Sequence, residues 1–258
     1  MTFYGNGYNR ERILRMQTHD FFLCQSLMRG IGLLMKLLQS MCGAGKLSAC
    51  LALLFSSPAA AQDYEKLMVG DFSAGSLAQW QSKAFKGQTE YRLAEADGTK
   101  ALKAVSDGSA SGLFKEQRID LRKTPFMNWR WRIENRLGNI NEQEKSGDDY
   151  AARVYVVISG GLAFWRTRAI NYVWASTSPK GRIWPNAFAG DHAVMIALRS
   201  ADDRTGVWHT EKRNILADLK QQFGEDIQYI DAVAIMTDTD NAQGKATAYY
   251  GDIYFSKE

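Results

Sequence analysis

The chain has 258 residues, 45% of them hydrophobic and 23% charged, with 22 Gly and 4 Pro, which sits in the globular range and excludes collagen-like and disordered classes. Its formal net charge of +4 belongs to residues 1–61, where 6 Lys and Arg face 2 Asp and Glu; the remaining 197 residues balance at 26 against 26. A neutral body lacks the one-sided excess of cations that general phosphate-backbone binding requires, so no nucleic-acid partner is expected.

In chain order, residues 1–34 carry Arg10, Arg12, Arg15 and Arg29 ahead of a segment that is already complete from Met35. An over-extended gene start is the economical explanation for this leader. In residues 35–61, Lys36 and Lys46 precede an apolar run from Leu47 to Phe55, and Ala59, Ala60 and Ala61 precede Gln62. That is the order of a secretory signal peptide, with cleavage expected after Ala61 and a periplasmic destination. The apolar run is shorter than the roughly 20 residues a membrane-spanning helix needs. Leu47-Ser48-Ala49-Cys50 matches a lipoprotein cleavage box, yet it precedes the apolar run that such a box must follow. Cys24, Cys42 and Cys50 all fall in this segment, so the exported body has no disulfide and must be stabilised by packing.

Residues 62–258 read as one domain, long enough to bury around 70% of its unfolded surface. Its aromatic residues are 7 Trp, 9 Tyr and 8 Phe. Period-2 patterning predicts strands at 90–94, 101–106, 112–119, 128–133, 152–159, 170–175, 193–199, 232–237 and 249–255. Turn signals separate them, as at Asp97-Gly98, Asp107-Gly108, Gly160-Gly161 and Lys180-Gly181. In the last strand Tyr249, Gly251, Ile253 and Phe255 are expected to oppose Tyr250, Asp252 and Tyr254. One helix is predicted near 211–223 from Ile215, Leu219 and Phe223, with Thr210 as N-cap and Gly224 as stop. One helix among about ten strands cannot build repeated βαβ units. The expected fold is therefore all-β, an antiparallel two-sheet jelly-roll β-sandwich.

Two acidic clusters stand out. Asp148 and Asp149 follow Gly147 at a loop edge, with Arg153 on the strand beyond. They suit a hard-cation site or polar ligand clamp, or else an Arg–carboxylate bridge pinning a loop. Asp238 and Asp240 share one face of a strand end, with Asn241 beside them, so both carboxylates can converge on one cation or substrate. Turn chemistry explains the same residues. We expect the two clusters to form one polar centre. His192 and His209 lack any His-x-His, His-Glu-x-x-His or Gly-x-Ser-x-Gly context, so no catalytic residue is assigned. Trp165 and Trp184, flanked by loop signals and charges, are expected as surface platforms for sugar rings, while Trp129, Trp131 and Trp174 are expected to pack the core.

The run from Val69 to Trp80, containing Asp71-Phe72 and Gly75-Ser76, and the run Ala248 to Phe255 resemble the opening and closing strands of carbohydrate-binding jelly rolls. That resemblance implies a structural Ca²⁺ held by Asp252 and Asp71. Five ordered blocks resemble an exported bacterial family called domain of unknown function 3047. They are Trp129-Arg130-Trp131, Asp148 to Val156, Ile170 to Trp174, Arg213-Asn214-Ile215 with Asp218, and Thr237 to Asn241 followed by Ala248 to Asp252. The family carries no assigned activity. Three functions stay open: an exported protein binding a glycan or envelope component without catalysis, a polysaccharide hydrolase or lyase using Asp148, Asp149, Asp238 or Asp240, and an envelope scaffold. Contact with the membrane is expected only through the signal segment. Carboxylates gathered with Arg153 or Arg213 in one concavity would favour the enzyme.

Overall fold

Alternating apolar and polar residues place one side of each strand against a partner sheet. In the computed structural model, which describes residues 66–258, fourteen strands form two seven-stranded sheets. The leader, the signal segment and the cleavage point lie outside the described residues. The first sheet holds β1 (Lys66–Gly70), β3 (Glu90–Ala96), β4 (Thr99–Asp107), β6 (Phe126–Ile133), β11 (His209–Asn214), β13 (Lys245–Tyr250) and β14 (Ile253–Ser256). The second holds β2 (Gln81–Lys86), β5 (Ala110–Asp120), β7 (Arg153–Ile158), β8 (Arg168–Trp174), β9 (Ile183–Asn186), β10 (Gly190–Arg199) and β12 (Tyr229–Asp238). Its order is β2-β5-β12-β7-β8-β10-β9. The described residues 66–160 and 166–258 belong to one compact unit, and Gly161–Trp165 falls in a separate one.

The sandwich core is aromatic. Trp129 meets Trp131 edge-on at 5.6 Å and Tyr172 at 5.4 Å, and Trp131 meets Trp174 at 6.0 Å. Val154, Val156, Val233 and Ile235 join them from the second sheet. Each large apolar side chain so buried contributes about 1.5–3 kcal/mol. A smaller cluster of Tyr150, Val173, Ala175, Trp184, Met195 and Ala197 packs apart from this core. Val173 alternates with Tyr172 and Trp174, so this cluster covers the outer face of the second sheet.

The expected β-sandwich with one helix is present among the described residues, and four details differ. First, β8 and β10 run parallel, with Ala193 opposite Ala169 and Ile196 opposite Tyr172. The unread strand β9 occupies the connection between them and pairs antiparallel with β10 at the sheet edge. Second, the strand expected over 249–255 is broken into β13 and β14. Gly251 donates to Arg130 O at 2.8 Å, and a Cβ there would stand 2.5 Å from Arg130 Cγ. The break reverses the faces, so Tyr250, Ile253 and Phe255 are all fully buried. Third, helix α1 (Ile215–Phe223) is capped by Asn214, whose side chain accepts from Ala217 N–H, because Thr210 is engaged in β11 opposite Arg130. Gly224 closes the helix in the left-handed region, at φ 68°. Fourth, β1, β2, β9 and β11 lack clear alternation, and β2 and β11 are largely exposed or half-buried.

Candidate functional site

Strand β12 runs antiparallel to β7, with Met236 opposite Arg153. This register sets the end of β12, Asp238, beside the start of β7. Val154, Val156, Val233 and Ile235 face the sandwich core, so Arg153, Tyr155, Ala234, Met236 and Asp238 lie on the outer face. Arg153 Nη2 donates to Asp238 Oδ2, and both residues are buried. The guanidinium also lies over the Tyr150 ring, 4.7 Å from its centroid. Arg153 Nε and Asp238 Oδ1 are buried without hydrogen-bond partners.

The loop ahead of β7 supplies the other acids. Asp149 accepts from Asn241 N–H at 3.1 Å and Ala242 N–H at 2.6 Å, which binds this loop to the turn after β12. Asp148 accepts from Tyr150 Oη and from Asn186 Nδ2, each at 3.1 Å. Asp240 is half-buried and pairs with the exposed Lys86, whose Nζ lies 3.8 Å from its carboxylate and 2.9 Å from its carbonyl oxygen. One carboxylate oxygen from each of Asp149, Asp238 and Asp240 lies within 4.8 Å of the other two. The two acidic clusters therefore meet in one centre, with Asn241 between them.

Burial dominates the electrostatics here. It pushes Asp238 up to about 7; Arg153 pulls the other way, while Asp148 and Asp149 push further up. Asp148 and Asp240 are raised for the same reason, with Asp149 adding repulsion to Asp240. Arg153 is raised by its carboxylate neighbours against the cost of burial and stays charged.

Three residues given no site role from the sequence hold this arrangement. Glu142 is fully buried and accepts from Ser176, Thr177 and Ser178 through backbone N–H and hydroxyl groups, fixing the loop that carries Asp148 and Asp149. Tyr250 crosses from the first sheet, accepts from Arg153 N–H at 3.2 Å and donates to Met236 O at 2.8 Å. Gly147 lets the loop close, since a Cβ there would stand 2.4 Å from Asn141 O. Glu142 sits in a charged stretch with no periodic signal, so only its hydrogen bonds reveal it.

Next to the centre lies Tyr155. Its hydroxyl is 3.5 Å from where a Cβ on Gly112 would stand. Gly112 is on β5, and β12 separates β5 from β7, a span of about two interstrand spacings of 4.8 Å. To reach it, the half-buried side chain extends over β12 at Ala234, which is paired with Tyr155 on one side and Phe114 on the other. Asn171 stands opposite Tyr155 on β8.

Other expected site residues fall elsewhere. Trp184 is 3% exposed and packs with Tyr150 and Met195, which corrects its expected place on the surface. It sits on β9, where the apolar outer face of β10 covers it. Trp165 is half-exposed and belongs to the separate 161–165 unit. Arg213 grips Asp218 through Nε and Nη2 at 2.9 and 2.6 Å, and Tyr172 Oη donates to the same carboxylate at 2.7 Å. Asp252 accepts from Ser73 N–H and Oγ, which joins the opening turn to the closing strand. Asp71 is exposed.

Fold and site together define a two-sheet β-sandwich with a buried Arg–carboxylate centre on one outer face. The model of the family described as protein of unknown function (DUF3047) matches residues 78–254, and the chain belongs to that family. Among curated proteins, none matches the sequence. Among solved structures, it is similar to a carbohydrate-binding module of the β-sandwich superfamily, at 12% identity over 72% of this chain and 61% of that chain, with a TM-score of 0.40. The family 11 carbohydrate-binding module of Clostridium thermocellum, in complex with a β-1,3-1,4-mixed-linked tetrasaccharide, gives 12% identity, 74% and 94% coverage and a TM-score of 0.39. A cellulase derived from Cel12A of Rhodothermus marinus gives 9% identity, 73% and 98% coverage and 0.43. Likenesses of this size assign neither ligand nor activity.

Proposed function

We propose that this is an exported, periplasmic protein that binds a glycan or another envelope component on the outer face of its second sheet, without chemistry of its own. The observation that carries the reading is the Tyr155 side chain reaching over β12 toward Gly112 on the outer face. A partly exposed ring on a sheet face offers a sugar apolar area at little entropic cost. Export rests on the order of charge, apolar run and alanines in residues 35–61.

Binding is favoured over hydrolysis by the acids themselves. Asp238, the acid raised to about 7, is 2% exposed, out of reach of a leaving group. Cavities of about 330 and 230 Å³ lie elsewhere, beside α1 and beside Asp252.

Wild-type protein and a Tyr155→Ala variant, checked for fold by circular dichroism, are applied to an array of neutral and acidic glycans. Retention of one glycan class by wild type, weakened at least tenfold in the variant, is the expected result. Equal retention by both proteins, or none by wild type, overturns the reading.

A further inference from the structure

We propose that Asp149, Asp238 and Asp240 form a divalent-cation site that takes an ion of Ca²⁺ size, independently of any glycan. Among the described residues, this is the set of three carboxylate, histidine or cysteine side chains whose ligand atoms fall close enough to share one ion. The donors are all oxygen, which selects hard cations over zinc or copper.

A second observation points into the same place. Asp238 is 2% exposed, Arg153 holds its Oδ2, and its Oδ1 is buried with no donor at all. An anionic oxygen in that position has lost its water and gained nothing in return, and a cation between the three carboxylates supplies the missing partner. Arg153 and Tyr250 hold the strand ends that position Asp238, and two backbone N–H groups fix Asp149. Half-buried Asp240 opens the cluster to solvent, and the exposed Lys86 beside it is free to swing aside when an ion enters. The charges facing the site are the carboxylates of Asp148, Asp149, Asp238 and Asp240 against Arg153 and Lys86. The balance is negative.

Coordination demands decide between the common hard ions: Ca²⁺ accepts about 6–8 oxygens in flexible geometry, whereas Mg²⁺ needs a near-ideal octahedron and keeps several of its waters, so three carboxylates from two chain segments favour Ca²⁺. Three protein carboxylates leave the remaining positions to water, which places the affinity at about 10⁻⁴–10⁻³ M.

The test uses the purified full chain, freed of metal with chelator, and metal alone as probe. Addition of 10 mM CaCl₂ is expected to raise Tm by roughly 3–10 °C, with a smaller rise from MgCl₂ and saturable Ca²⁺ binding by calorimetry. Asp240→Asn, at a partly buried position, is expected to fold, to keep the metal-free Tm or exceed it, and to bind Ca²⁺ at least tenfold more weakly. Asp252→Asn distinguishes this site from one at the terminal strands. No saturable binding by wild type, unchanged binding by Asp240→Asn, or loss of binding in Asp252→Asn alone overturns the proposal.

Discussion

Two arginine–carboxylate pairs sit in this sandwich, and they are built to different degrees of completion. Arg213 and Asp218 make a two-point fork, and the Tyr172 hydroxyl takes a further lone pair. Arg153 and Asp238 are more deeply buried, at 9% and 2% side-chain exposure against 35% and 8%, yet Arg153 Nε and Asp238 Oδ1 go unpaired. A pair whose purpose is to clasp α1 to the sheets is satisfied by the chain alone. The pair with loose ends lies among three further acids, where a ligand would complete it. Burial raises the stakes of each missing bond, since an unpaired buried polar group costs about 1–3 kcal/mol, more when charged.

Removing one partner from each pair breaks or sharpens this contrast. Arg153→Ala in chelator should lower the unfolding free energy by about 3–5 kcal/mol in a urea titration, because Asp238 loses its buried partner and must take up a proton or stay charged without compensation. Replacing both residues together, Arg153→Met with Asp238→Leu, should recover most of that loss. A cost below about 1 kcal/mol for Arg153→Ala would show that Asp238 does not depend on its partner.

Arg213→Ala should cost less, about 1–2 kcal/mol, since this guanidinium is a third exposed and Tyr172 continues to donate to Asp218. Urea midpoints of the two single variants give the ranking directly; the reverse order would mean that completeness of pairing, and not depth, governs the cost.

Nearer the surface stands Arg122–Asp120, where hydrogen bonds from Arg122 lower the Asp120 carboxyl from 3.8 to about 2. A depressed carboxylate contributes stability that is full above its unfolded pKa and lost as pH falls through the folded one. An NMR titration should therefore place the Asp120 midpoint near 2, with little accompanying loss of fold. A midpoint at the ordinary 3.8 would show the pair to be absent in solution.

Much of this arrangement is readable in local sequence. Trp129, Trp131 and Ile133 alternate with Asn128, Arg130 and Arg132, and the structure buries the first set in the core. Ile215, Leu219 and Phe223 at i, i+4 and i+8 mark the helix, and Gly224 ends it. The acids of both clusters stand out because carboxylates at strand ends must be paired, solvated or used. Trp184 was misread because loop signals and charges flank it. A ring on a short edge strand takes its exposure from whatever covers the sheet, and that is set by β10 and Tyr150.

Side-chain periodicity, turn residues and helix caps act over a few positions, so the sequence alone determined that this chain is a β-sandwich with one helix and two acidic strand ends. Only the tertiary structure decided that those strand ends meet, because Asp149 and Asp240 are joined by the pairing of β7 with β12 across more than 80 residues of chain. The reach of Tyr155 over β12, the burial of Trp184 and the unpaired oxygen of Asp238 follow from the same cause. Each depends on which strand lies alongside and in what register, and a one-residue slip in that register would turn every one of these side chains to the other face.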